Sequence, residues 1–209
     1  MKDAAGTSSP AQTSTGLFRF AQAGPHDLAI FRMLLFGSAL YIYRRVDPSG
    51  WLTYREAVWL PRSFYEWLNF DLLSQPYMDI ATWLWRASLA ACTLGLGYRW
   101  MAPVAATLTL YILGMSINFG KVDHSANLLT LGMGVMCFAR ASDVWSIDTW
   151  MRSRTVAPVQ SEEYRWPLFT MWLLVLTMYM AAGIAKLQKS GFDWALGDNF
   201  KLLLIRHHY

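Results

Sequence analysis

MAPVAATLTLYILGMSINF (residues 101–119) contains no acid, lysine or arginine. PLFTMWLLVLTMYMAAGIAKL (residues 167–187) is equally apolar up to a lysine near its end, Lys186. A hydrocarbon layer about 30 Å thick is crossed by roughly 20 mostly apolar helical residues, so both stretches read as membrane helices. Three more segments approach that length, over residues 28–43, 80–97 and 124–139. The first is short, holds Arg32 and stops at Arg44-Arg45. Pro167 suits a first helical turn, where its missing N–H is no loss. The fold class that follows is all-α: a multi-pass transmembrane helical bundle of about five membrane helices.

Composition agrees. Charged residues make up 15% of the 209, against about 25% in an ordinary soluble domain. Mean hydropathy is +0.23. Tryptophan (11) and tyrosine (10) are abundant, and both favour the bilayer interface. The net charge of +4 is spread over loops between apolar runs, so no basic stripe points to nucleic acid. Residues 1–25 are rich in Ser, Thr, Ala and Pro and lack the apolar core of a signal peptide. They read as a disordered polar tail ahead of one membrane domain, residues 26–209. The expected location is the plasma (inner) membrane, with lipid as a partner.

The connections differ in length. Residues 44–79 mix Trp, Tyr and Phe with Arg and Glu, which suits a segment lying in the interface plane. Residues 140–166 read as a solvent-exposed loop, with Asp143, Asp148, Arg152 and Arg154 on a solvated face. The short links after the second and third segments make those helices antiparallel neighbours. With the N-terminus inside, 7 Lys and Arg fall inside and 9 outside, which leaves the orientation open. Cys92 and Cys137 lack ligand spacing and read as packing residues; no metal is expected. Glycines 95, 97, 114, 132 and 134 read as sites of close helix approach.

Ionisable groups at membrane depth are costly and are functional candidates. Helix four starts at His124 and helix five ends near Lys186, which topology places at one face with Arg44, Arg45, Asp47, Asn118, Lys121 and Asp123. Asn127 follows His124 by one helical turn, and Tyr179 and Gly183 precede Lys186 on its side of the helix. This His, Lys, Asp, Asn and Tyr cluster is the best candidate pocket. Each member also has a plainer reading. Lys186 can snorkel to the interface, and His124 can cap its helix. Arg32 and Arg86 can be buried structural charges or part of a substrate path. His207 and His208 read as solvent-exposed.

At these residues the sequence resembles a known family. YMAAGIAKLQKSGFDWALGDNF (residues 179–200) is similar to the A-G-x-x-K-L…D-W…G signature of vitamin K-dependent γ-glutamyl carboxylase and its bacterial HTTM-domain relatives. DHSANLLTLGMGVMCFARASDVWSIDTW (residues 123–150) resembles that family's H-S…L-L segment followed by a W-S-x-D loop. LGLGYRW (residues 94–100) and FRMLLFG (residues 31–37) resemble the L-G-L-x-Y-R and R-x-x-x-G pieces of earlier helices. Spacing and order agree over most of residues 28–203.

The resemblance implies a helical membrane bundle in which Lys186 matches the catalytic lysine and His124 the active-site histidine. A neutral Lys186 would take a proton from a reduced naphthoquinone, helped by desolvation that disfavours its ammonium form. His124 would stabilise developing negative charge. The quinol, with O2, would yield the base used to carboxylate glutamyl side chains with CO2. Asp123, Asn127, Tyr179 and Arg86 are the expected substrate and cofactor contacts, and a protein or peptide is the expected acceptor. Two departures stand out. The carboxylase carries a further region beyond its membrane part, whereas this sequence stops at Tyr209, and Ile184-Ala185 stands where the carboxylase has another lysine. The rival from another class is a non-catalytic module binding quinone, lipid or a partner protein. A transporter with Arg32 and Arg86 on its path is a third reading, without inverted repeats to support it.

Overall fold

Gly95 fixes the geometry of the bundle. Its φ of +70° lies where a Cβ is strained. Its N–H donates to the Cys92 carbonyl (3.2 Å), and the next N–H, of Leu96, donates to Ala91 (2.8 Å). This pair of bonds is the Schellman closure of a helix. The next helix starts at Tyr98, so two helices are forced side by side. A computed structural model describes residues 23–54, 59–61, 64–69, 71–119, 124–153 and 161–191.

In chain order the helices are α1 (Pro25–Tyr43), α2 (Phe64–Trp67), α3 (Gln75–Leu94), α4 (Tyr98–Asn118), α5 (His124–Cys137), α6 (Ile147–Met151) and α7 (Glu162–Ser190). A 3-10 turn, Pro48–Tyr54, follows α1. No strand occurs among the described residues. Prolines open α1 and α3, where a missing N–H is harmless. The Asp27 carboxylate accepts the Gly24 N–H (2.8 Å) at the start of α1. Each apolar segment read from the sequence is a helix, with its ends shifted by a few residues. The largest shifts are at the starts of α3 and α7, and α7, which begins at Glu162, carries Pro167 inside it rather than in its first turn. The ring forfeits one bond, to the carbonyl of exposed Glu163.

α1 packs antiparallel to α3, α3 to α4 and α4 to α5, while α7 lies against α1 and α5. At mid-height the Trp85 indole N–H donates to Thr109 Oγ1 (2.8 Å), and that hydroxyl donates to the Met133 sulfur (3.3 Å), joining α3, α4 and α5. Gly132 is where α1, α5 and α7 converge. A Cβ there would lie 2.8 Å from Met171 Cε and 3.6 Å from Leu35 Cδ1. The bundle therefore has two ends. The Gly95 end holds the α3–α4 turn and the loop after α5. The Asn118 end holds the start of α5 and the end of α7.

Among the described residues two helices are long and apolar enough to cross a membrane, Tyr98–Asn118 and Glu162–Lys189. α1 and α3, which contain Arg32 and Arg86, do not meet that test, nor does α5 with 14 residues, about 21 Å. α7 turns Trp172, Leu173, Leu176 and Met180 outward, and every residue from 179 to 189 is exposed. Such a surface suits hydrocarbon and not water.

The connection after α1 differs from the flat interfacial segment expected of it. Tyr65 is 1% exposed, and its hydroxyl donates to the Tyr111 carbonyl of α4. Leu72 is buried, and Trp59 packs edge-on to Tyr65. Among the described residues of this stretch, Leu60, Trp67, Leu68, Leu73 and Tyr77 keep the exposure that an interface anchor needs. The aromatic side chains found more burial against α4 than a flat placement offers. Most of the residue 1–25 tail, with Arg55, Arg62, Lys121, Asp123, Arg154, His207 and His208, lies outside the described residues.

Candidate functional site

The two ends use their polar groups differently. At the Gly95 end, Arg32 is fully buried and forms no ion pair among the described residues. Its Nη1 donates to the Ala141 carbonyl and its Nη2 to Trp145, each at 2.6 Å. The guanidinium lies over Gly95, where a Cβ would come within 3.0 Å of Nη1 and 2.4 Å of Ser146 Cβ. Asp148 accepts from the Gly97 N–H (2.8 Å) and the Tyr98 N–H (3.1 Å), capping α4. Asp143 accepts from the Tyr164 hydroxyl (2.9 Å). The solvated acidic face expected for this loop is corrected on that point: both carboxylates fasten the loop to helices. The outer rim carries Arg140, ion-paired to Asp143 (3.0 Å) and Glu163 (2.6 Å). Asp143 first, then Glu163, holds that guanidinium charged above its ordinary range.

Three of the four family-like segments meet here. Arg32 of FRMLLFG, Gly95 and Gly97 of LGLGYRW, and Trp145 and Asp148 of the W-S-x-D loop form one knot. Its chemistry is satisfaction of backbone groups, and it leaves no reactive side chain presented.

The Asn118 end is built from aromatic rings. Trp51 stacks on Phe119 (centroids 4.7 Å), and Trp59 tilts against the same ring (5.4 Å). The Leu60 N–H donates to the Asn118 carbonyl (3.2 Å), and the Leu73 N–H to the Tyr111 hydroxyl (3.1 Å). Asp47 accepts from Ser49 Oγ (2.6 Å) and from the Ser49 N–H (3.0 Å). These two bonds hold its carboxyl below the ordinary range, with Arg86 adding a smaller pull.

The expected site residues fall as follows. Lys186 and Tyr179 lie seven residues apart along one side of α7, both exposed. His124 is the first residue of α5, Asn127 is exposed one turn later, and Asp123 precedes the described part of α5. Gly132 and Met171 set the register of α5 against α7. His124 is eight residues from Gly132, about 12 Å along the axis, and Lys186 is fifteen from Met171, about 22 Å. The His124 backbone is therefore level with Tyr179, and Lys186 starts about 10 Å further out. Helical Cα–Cβ bonds tilt toward the N-terminus, so that of Lys186 starts on the Tyr179 side. Arg86 stands apart from this group. It lies on α3, and α1 is packed against both α3 and α7.

Beside Tyr179 runs an apolar groove of about 740 Å³ between α1 and α7. Phe31, Met171, Trp172, Val175 and Leu176 line it, with Tyr179 the polar tip at one edge. Among the described residues no group of three or more His, Cys, Asp or Glu is placed to hold a metal.

The model of the HTTM domain matches residues 20–208. The chain belongs to the HTTM-domain family. Neither a curated protein nor a solved structure matches it. Membership and the two apolar helices make it a membrane protein, the membrane module of the carboxylase type that the motifs resembled. Within the HTTM domain, sequence reasoning singled out Arg32 for its depth but missed its partners. These are main-chain carbonyls 109 and 113 residues away, which leave no mark in the side-chain pattern.

Proposed function

We propose that this HTTM-domain protein is a multi-pass inner-membrane protein that oxidises a reduced quinone at its Asn118 end, with Lys186 as proton acceptor. The juxtaposition that carries this reading is Lys186 with Tyr179 on one side of α7, directly beyond the groove. An apolar slot with a phenol at its edge fits a naphthoquinol with an isoprenoid tail. The tail would lie along Phe31, Trp172 and Leu176, and the head would sit at Tyr179 and Lys186. His124 would meet developing negative charge, and Asp123 and Asn127 would orient the head. Bound quinol, with O2, would supply the strong base that the family uses to attach CO2 to a glutamyl side chain of a protein or peptide. Tyr179 would hold a ring oxygen, and Lys186 would take the proton from the quinol hydroxyl. In a water-free site that transfer leaves the proton on the lysine nitrogen.

The exposure of Lys186 favours a second reading, a non-catalytic module that binds quinone or lipid through the same groove. The test uses the full chain in nanodiscs with reduced naphthoquinone and O2, and mass spectrometry of the quinone product. Epoxide from wild type and none from folded Lys186→Ala establishes the oxidase reading. Bound quinone without product from either protein leaves the module.

A further inference from the structure

α1 stops short. The Tyr43 ring packs 6.2 Å from Trp85, and Gly37 lies against Thr93. Trp85 is ten residues before Gly95 on α3, so α1 ends about 15 Å from the Gly95 turn. α3 continues for another ten residues beyond that level. The chain thus leaves helical geometry about halfway along α3. In hydrocarbon, a main chain freed from a helix must find partners in protein or in a water-lined recess.

Arg86 supplies one such partner. Its Nη2 donates to the Val46 carbonyl (2.8 Å), just past the end of α1. Among the described residues that is its one hydrogen bond, and its Nε is buried without a partner there. The guanidinium sits 5.5 Å from the Trp83 ring centroid. No carboxylate lies within ion-pair distance of it among the described residues. Asp47 is close enough to feel its charge, but both Ser49 bonds fall on Asp47 Oδ1. Arg44, over the Tyr41 ring at 4.2 Å with Nη1 donating to the Tyr41 carbonyl (2.5 Å), and Arg45 are exposed two and one residues before Val46. Two exposed guanidinium groups and one exposed carboxylate thus stand within two residues of the carbonyl that half-buried Arg86 holds at this exit of α1. Exposed Tyr41, Ile42, Trp83 and Leu84 flank it with apolar surface.

We propose that Arg86, with Arg44 and Arg45, binds a phosphate oxyanion at the exit of α1, as carried by the headgroup of an anionic phospholipid. A guanidinium fork matches phosphate oxygens geometrically, and the apolar flank accepts acyl chains. Across α1 from the quinol groove, this site rests on the membrane reading alone and not on Lys186 chemistry.

The full chain would be delipidated in detergent and titrated with phosphatidylglycerol or phosphatidylcholine, counting bound lipids by native mass spectrometry. Wild type should prefer one phosphatidylglycerol by about tenfold, and Arg86→Gln should bring the two lipids within about twofold. Arg44→Gln with Arg45→Gln, both at exposed positions, should lower the preference severalfold without risk to folding. Arg152→Gln at the other end should leave it unchanged. Inorganic phosphate at millimolar concentration is the second arm. An Arg86-dependent thermal shift equal to that of the lipid would make a soluble phosphate the source for the same site. No lipid preference and no phosphate shift in wild type would overturn the proposal. So would an unchanged preference in the Arg44/Arg45 double variant, which decides the matter if Arg86→Gln fails to fold. Quinol turnover in the same preparations reports Lys186 separately, so failure at either site is told apart.

Discussion

The Gly95 end and the Asn118 end are made of the same kinds of residue put to opposite use. At the Gly95 end a buried arginine, Asp148 and Ser146 spend their hydrogen bonds on a helix end and loop carbonyls, and Asp143 takes the Tyr164 hydroxyl. At the Asn118 end aromatic rings do the packing, and Lys186 and Asn127 stay exposed, as do Arg44 and Arg45 where α1 leaves the bundle. A polar group locked into the fold is unavailable for chemistry, and one left out contributes little to stability. Stability and function should therefore separate by end.

The largest effect is expected from Arg32→Ala, which strands the buried Ala141 carbonyl and the half-buried Trp145 carbonyl and opens a cavity. We expect a loss of about 3–5 kcal/mol, read by chemical unfolding in detergent. Arg32→Lys should recover only part, because one ammonium cannot span both carbonyls. Gly95→Ala comes next, at about 2–3 kcal/mol, since it combines a left-handed φ with a clash on Ser146. Asp148→Ala should cost about 1–2 kcal/mol through the lost cap on α4. Lys186→Ala should change stability by less than about 0.5 kcal/mol while removing quinol oxidation. A large destabilisation there would break the division between the ends. The smallest effect is expected at Asp47. Its folded-state carboxyl is held below 3.8, so its contribution is present above that value and is lost as pH falls through the lower folded value. Comparing unfolding midpoints of wild type and Asp47→Asn from pH 5 to pH 3 should show the difference shrinking toward acid.

Much of this was legible in the sequence, because apolar runs announce helices in hydrocarbon whatever surrounds them. All five long helices follow from such runs, and topology alone put His124 and Lys186 at one end. Their offset along the axes was not legible, since it depends on Gly132 meeting Met171. Nor was the role of Asp148: a loop aspartate looks the same whether it faces water or caps a helix. The segment after α1 misled for a similar reason. Mixed Trp, Tyr, Arg and Glu suits an interface, yet Tyr65 found a buried place against α4. At Arg86 the depth of the charge was visible and its neighbour was not, because a carbonyl at Val46 has no signature.

The lock on Arg32 also has a timetable. Its guanidinium cannot close on Trp145 until 113 further residues have been made. At about 5–20 residues per second of synthesis, α1 waits roughly 6–23 s for its partners. The α3–α4 hairpin, with its three-residue turn, can form long before then. During biogenesis α1 therefore sits beside a finished hairpin with an unsatisfied guanidinium. The arrival of residues 141–145 is the event that commits the domain.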